Sequence, residues 1–139
     1  MPGQESWRNP MIYQVFYTSR SLFGSGNATD HEILSVARAR NAATGVTGYL
    51  FRTNMAFMQF LEGHEADVRP ILRSILDDPR HDQIDIWPAM RIRERQFAGW
   101  DMGYANGLAD ENLAHVARQR LDGVTVDHVR RYLTGLRAA

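Results

Sequence analysis

Apolar residues recur along the chain with two different spacings. In five short runs they recur every second residue, and in stretches between some of these runs they recur about every three to four residues. Side chains alternate between the two faces of a strand, so a period of two predicts strands. The five runs are residues 11–17, 45–51, 57–62, 84–92 and 97–104. In the first run Tyr17 shares a face with Val15, and in the last run Trp100 shares a face with Met102.

Two stretches with helical spacing interrupt these runs. Residues 29–41 carry a stripe that begins apolar at Ile33 and ends polar at Arg40 and Asn41, and residues 65–77 carry an apolar stripe that includes Ile75. The resulting order βαββαββ predicts an α+β fold, namely a ferredoxin-like sheet with two helices on one face.

Two shorter amphipathic patterns follow the last predicted strand and predict two C-terminal helices on the other face of the sheet. We therefore divide the chain into an N-terminal extension (1–10), a sheet domain (11–104) and a C-terminal helical cap (105–139).

Composition narrows the class of protein. The chain has 139 residues, 16 basic and 16 acidic side chains, and no cysteine. The balanced charge gives no support for a nucleic-acid partner, and no apolar run is long enough to cross a bilayer. Disulfides and thiolate chemistry are excluded, and we expect a cytoplasmic protein.

Gln59 and Tyr17 are the residues whose positions most need an explanation. Gln59 is a neutral amide between Phe57 and Leu61, in a strand otherwise suited to a core. A buried amide needs partners for both its oxygen and its nitrogen. Taken alone, Gln59 fits a core amide or an edge position as well as a functional site, and Tyr17 fits a tyrosine at the margin of the core with a solvated hydroxyl.

Familiar catalytic patterns are missing from the sequence. The glycines near residue 24 complete neither a dinucleotide-binding loop nor a phosphate loop, and no serine lies in a nucleophile elbow. The five histidines lack the spacing of metal ligands, so we expect neither a metal site nor an enzyme.

Five short motifs together resemble the BLUF family of flavin-based blue-light sensors. They are residues 17–19 (YTS), 41–48 (NAATGVTG), 57–63 (FMQFLEG), 78–81 (DPRH) and 95–102 (RQFAGWDM). The resemblance covers about residues 11–102 and suggests a short stand-alone domain of the family.

The resemblance implies a role for each candidate site residue. It implies photoactive roles for Tyr17, Gln59, Trp100 and Met102. It implies contacts with the flavin for Asn41, Arg40, Ile33, Ile75, Asp78, Arg80 and His81. Arg40 stands where many members have asparagine or histidine, and Ser74 where some have arginine, which bears on the choice among FAD, FMN and riboflavin. FAD is the expected cofactor.

The mechanism implied by the resemblance is a light-driven transfer of an electron and a proton from Tyr17 to the flavin, followed by a rearrangement of the hydrogen bonds of Gln59. The expected output is a signal in trans to a downstream effector protein, and a homodimer or higher oligomer remains open. The alternative is a ferredoxin-like regulatory module that binds a ligand or a protein without photochemistry. An acylphosphatase-like hydrolase fits poorly, because the segment after the first strand lacks a glycine-rich anion loop.

Overall fold

A computed structural model of the chain describes residues 11–24, 28–106 and 131. The elements are the strands β1 (Ile12–Ser21), β2 (Thr47–Arg52), β3 (Ala56–Gly63), β4 (His81–Ile86), β5 (Met90–Ile92) and β6 (Gly103–Asn106), and the helices α1 (Ala28–Thr44) and α2 (Glu65–Leu76). Their order along the chain agrees with the predicted βαββαββ pattern up to β4.

The strands form one sheet in the order β4-β1-β3-β2-β6, and β5 pairs with the beginning of β1. The central pairs β1–β3 and β3–β2 are antiparallel, whereas β6 adds to β2 in parallel. The register places Tyr17 directly opposite Gln59, and Gln59 opposite Leu50 on its other side. The two residues singled out from the sequence are therefore cross-strand neighbours at the centre of the sheet.

Both helices pack on one face of the sheet, which we call the helix face. Leu34 and Ala37 of α1 and Val68 and Ile71 of α2 share a buried cluster with strand residues such as Leu61. The opposite face carries a second buried cluster, which consists of Phe16, Tyr49, Phe51, Ala56, Met58, Phe60, Trp87 and Phe97. The α+β fold with two helices on one face is confirmed, and the predicted C-terminal helices lie outside the described residues.

The prediction of a single strand over residues 84–92 is wrong. The chain forms β4 and β5 instead, and Pro88, which has no N–H for the ladder, lies between them. Both pieces pair with β1, whose register with β4 shifts between Thr18 and Arg20. This irregularity breaks the predicted alternation and leaves Ile86 exposed.

The strand predicted over residues 97–104 is also mostly wrong, because only Gly103 and Tyr104 of that range lie in β6. The residues before β6 form a turn in which the Trp100 N–H donates to the Phe97 carbonyl, and Gly99 has a φ of 81°. A side chain at Gly99 would be strained in this conformation. The turn replaces the regular alternation on which the prediction depended.

Candidate functional site

A cavity of about 230 Å³ opens between α1 and α2 on the helix face. Its apolar lining comes from Ile33, Val36, Ala37, Leu50, Phe57 and Ile75. Its polar lining comes from Tyr17, Arg40, Gln59, Ser74, Asp78, Arg80 and His81. A slot with apolar walls and several convergent polar groups is typical of a site for a small organic ligand.

A buried chain of hydrogen bonds lies at the sheet side of this cavity. The Tyr17 hydroxyl donates to Oε1 of Gln59, and Nε2 of Gln59 donates to Sδ of Met102 at 3.5 Å. All three side chains are almost fully buried, and Gln59 is only 4% exposed. Both ends of the Gln59 amide therefore have partners, as a buried amide requires.

Trp100 and Met102 lie on opposite sides of the sheet, so the prediction that they share a face is wrong. Met102 belongs to the cluster on the helix face. Trp100 packs against the opposite cluster and stacks on Tyr49 with ring centroids 5.5 Å apart. A Cβ atom at Gly103 would lie 1.9 Å from the Trp100 ring, so the indole fits only because residue 103 is glycine. The turn before β6 sends the two side chains to different faces.

Asn41 is fully buried but is not part of the cavity lining. Its Nδ2 donates to the Asp101 carbonyl at 2.6 Å, and its Oδ1 has no partner among the described residues. Nearby, Nε of Arg38 donates to the Met102 carbonyl at 3.1 Å. These two bonds attach the end of α1 to the backbone that carries Met102, a role for Asn41 and Arg38 that the sequence did not indicate.

The other residues expected at the site do line the cavity, namely Ile33, Arg40, Ile75, Asp78, Arg80 and His81. Asp78 and Arg80 form an ion pair at 2.6 Å, and the side-chain hydrogen bond from Arg80 lowers the pKa of Asp78. Glu32 of α1 lies 3.7 Å from Arg80 across the rim of the cavity. The contact between Glu32 and Arg80 therefore joins α1 to the segment between α2 and β4 at one end of the slot.

His81 forms a buried support for the Tyr17 side of the cavity. Its Nε2 donates to the Ile75 carbonyl at 2.7 Å, and its Nδ1 lies 2.7 Å from the Ser19 hydroxyl. The imidazole meets Tyr17 edge-on with centroids 6.1 Å apart. Because both ring nitrogens have partners, His81 holds the wall in place.

Two ionisable groups at the cavity have pKa values changed by burial. Burial raises the pKa of the Tyr17 phenol above its usual range, although the positive charge of Arg40 opposes the rise. Burial lowers the pKa of the Arg40 guanidinium. Tyr17 is therefore a protonated donor throughout the neutral range.

Glu62 is a buried residue that sequence reasoning missed. Its carboxylate is fully buried and accepts four hydrogen bonds, from the Gln14 side chain, the Thr47 hydroxyl, and the backbone N–H groups of Gln96 and Phe97. The alternation of β3 could have predicted its burial, since Glu62 shares a face of the strand with Met58 and Phe60, which are both buried. A carboxylate on a buried face needs several donors, and here they fix the beginning of the segment that leads to Met102.

Comparison with known proteins identifies the family. The sequence profile of BLUF, described as sensors of blue light using FAD, matches residues 12–103. The blue light- and temperature-regulated antirepressor BluF of Escherichia coli K12 is 43% identical over 66 residues, which span 44% of this chain and 16% of that protein. The chain thus covers only a small part of that relative's length.

Two solved structures extend the likeness over most of the chain. BlrB, a BLUF protein in its dark state, is 27% identical with a TM-score of 0.74, over 90% of this chain and 96% of that one. The photo-activated state of BlsA is 25% identical with a TM-score of 0.73, over 93% of this chain and 96% of that one. Within the described residues no helix is long and apolar enough to span a membrane. The chain belongs to the BLUF family of blue-light sensors.

Proposed function

We propose that this chain is a blue-light photoreceptor that holds a flavin non-covalently in the cavity between α1 and α2 and signals in trans to a partner protein. The observation that carries the proposal is the buried hydrogen-bond chain from Tyr17 through Gln59 to Met102 along one side of that cavity. A bound flavin would supply the absorption of blue light and the capacity to accept an electron. FAD is the proposed cofactor, with FMN and riboflavin as alternatives.

The cavity residues fit part of such a cofactor. Ile33 and Ile75 supply apolar walls from the two helices, as a flat ring requires. Nε of Arg40 is buried without a partner among the described residues, so a carbonyl oxygen of a ring would satisfy it. The volume of about 230 Å³ lies below the ~300–1,000 Å³ typical of small-molecule pockets, and therefore fits a ring better than a whole dinucleotide.

Tyr17 is the proposed donor of an electron and a proton. Its hydroxyl is buried and protonated, and its hydrogen bond to Gln59 places the proton on a defined path towards the amide oxygen. Asp78 and Arg80 form an ion pair at one end of the cavity, and His81 is hydrogen bonded at both nitrogens. Because these candidates for acid–base chemistry are already paired, we propose a sensor and not an enzyme.

Gln59 is the proposed switch, and Met102 biases its orientation. A thioether accepts a hydrogen bond but cannot donate one. The present orientation pairs Nε2 with Met102 and Oε1 with Tyr17. The reversed orientation would leave Oε1 facing sulfur without a donor. The amide therefore has one favoured state in the dark and a second state that light can populate.

The partner is proposed to be a protein effector, by analogy with the Escherichia coli relative, whose name describes an antirepressor. The change at Gln59 would reach Met102 and, through its backbone, the bonds from Arg38 and Asn41 of α1. We further expect light to change the C-terminal cap (105–139), most of which lies outside the described residues. Hydrogen exchange in dark and light, resolved along the chain, tests which surface responds.

An absorption spectrum of the purified protein before and after blue light tests the proposed function. We expect a yellow protein whose flavin is released on denaturation and whose absorption shifts to the red in light. Gln59→Leu should keep the flavin and lose the shift, since leucine removes both the donor and the acceptor. Gln14→Leu is the matched control, because Gln14 is a buried glutamine on the opposite face of the sheet. A colourless protein that does not bind added FAD would contradict the proposal, and a full shift in Gln59→Leu would contradict the role of Gln59.

A further inference from the structure

Arg40 is a guanidinium in the wall of the cavity, and no carboxylate among the described residues pairs with it. It lines the slot together with Tyr17, and its Nε is buried and without a hydrogen-bond partner among the described residues. The other charged groups of the lining are Asp78 and Arg80, which pair with each other. Arg40 forms no ion pair with any described carboxylate, so the slot holds one positive charge that is not neutralised.

The positive charge of Arg40 lies in the same slot as Tyr17 and acts on groups inside it. Arg40 and Tyr17 both line the slot, and the positive charge of Arg40 opposes the effect of burial on the pKa of the Tyr17 phenol, whereas the more weakly acting carboxylate of Asp78 adds to it. The Arg40 side chain is itself half-buried and its Nε is shielded from solvent, and this burial lowers the pKa of the guanidinium. Charges that have lost part of their hydration interact more strongly with each other than charges in bulk water. A negative charge that appears in the slot is therefore stabilised by Arg40.

We propose that Arg40 favours negative charge on the ring in the slot and thereby makes the bound flavin easier to reduce than it would be beside a neutral side chain. This inference rests on the proposed function, because it requires a flavin in the cavity. Reduction of the ring by two electrons and one proton leaves one negative charge on it. Since reduction removes the blue absorption, the response to light would depend on the redox potential of the surroundings.

The test is a redox titration of the flavin-loaded full chain. Xanthine, oxidised to urate by xanthine oxidase, supplies the electrons and protons, and a reference dye reports the potential. At one fixed potential we expect the ratio of reduced to oxidised flavin to fall at least tenfold in Arg40→Gln, which equals about 30 mV for a two-electron couple. Arg40→Lys, which keeps the charge, should stay within about threefold of the unmodified chain.

Arg73→Gln is the matched control, because Arg73 is an exposed arginine of α2 that does not line the cavity. It removes the same formal charge and should change the ratio less than threefold. If Arg40→Gln does not retain flavin, Arg40→Asn is measured in its place. A ratio unchanged within threefold in the neutral variants, with flavin bound and the light-induced shift intact, would overturn the inference alone. An equal fall in Arg73→Gln would also overturn it. A chain that binds no flavin would overturn the proposed function itself.

Discussion

Glu62→Gln should lower the free energy of unfolding by roughly 3–5 kcal/mol, a large part of the ~5–15 kcal/mol that stabilises a typical domain. The buried carboxylate accepts four hydrogen bonds, two at each oxygen. Glutamine keeps one accepting oxygen and places an NH₂ group where the other oxygen was. Two donors then lose their acceptor, and each bond to a charged group contributes about 1.5–3 kcal/mol.

Urea denaturation followed by circular dichroism measures this change. Gln14→Leu is the matched variant, since it removes one of the four donors and leaves the carboxylate intact. We expect it to lose about half as much stability or less. A loss below about 1 kcal/mol in Glu62→Gln would refute the reasoning, because it would mean that the four donors find equivalent partners without the carboxylate.

The same variant has a second, spectroscopic consequence. Glu62 fixes the backbone at Gln96 and Phe97, at the beginning of the segment that ends at Met102. Loosening this end should alter the contact between Met102 and Gln59. The rate of dark recovery of the light-induced shift should therefore change more in Glu62→Gln than in Gln14→Leu.

Three further predictions each concern one buried side chain. Met102→Leu removes the acceptor that favours the dark orientation of Gln59, so dark recovery followed by absorbance should slow about fivefold, for a bias of about 1 kcal/mol. Tyr17 has a raised pKa when folded, so it contributes stability that is fully present below pH 10 and is lost as the pH rises towards the folded value. Denaturation at pH 10–11 should show a steeper loss in the unmodified chain than in Tyr17→Phe, by up to about 1.4 kcal/mol per pH unit. Asp30→Ala leaves the fully buried Arg52 without its carboxylate partner and should lose about 3–5 kcal/mol in urea denaturation, and a loss like that of an exposed alanine substitution would contradict this.

The sequence predicted those features that depend on one strand or one helix at a time. A period of two placed Tyr17 on the same face of its strand as Val15, and the register of β1 with β3 then brings Tyr17 opposite Gln59. The stripe on α1 likewise placed Ile33 and Arg40 towards the slot. In each case the local period determines which face of its own element a side chain occupies, whereas the pairing of β1 with β3 depends on distant residues.

The features that failed depend on irregular backbone. Pro88 and the shift of register opposite β4 divided one predicted strand into two, and the turn at Gly99 separated Trp100 from Met102. Strand alternation assumes a regular ladder, and a bulge or turn changes the face of every side chain after it. Asn41 does not line the cavity, and its described partner is the backbone of this same turn at Asp101, so its contact with a flavin stays a prediction.

The turn before β6 carries side chains to both faces of the sheet, so it is one physical link between the cavity and the cluster on the opposite face. Phe97 and Trp100 belong to the cluster on the opposite face, whereas Met102 touches Gln59 on the helix face. The turn is attached to β3 through Glu62 and to β2 through the bond from the Gly48 N–H to the Trp100 carbonyl. Small shifts at one site can be amplified where the packing around it has two discrete arrangements. We therefore predict that a change in the hydrogen bond at Met102 alters the packing of Trp100 in the aromatic cluster on the opposite face, although no residue of that cluster lines the cavity.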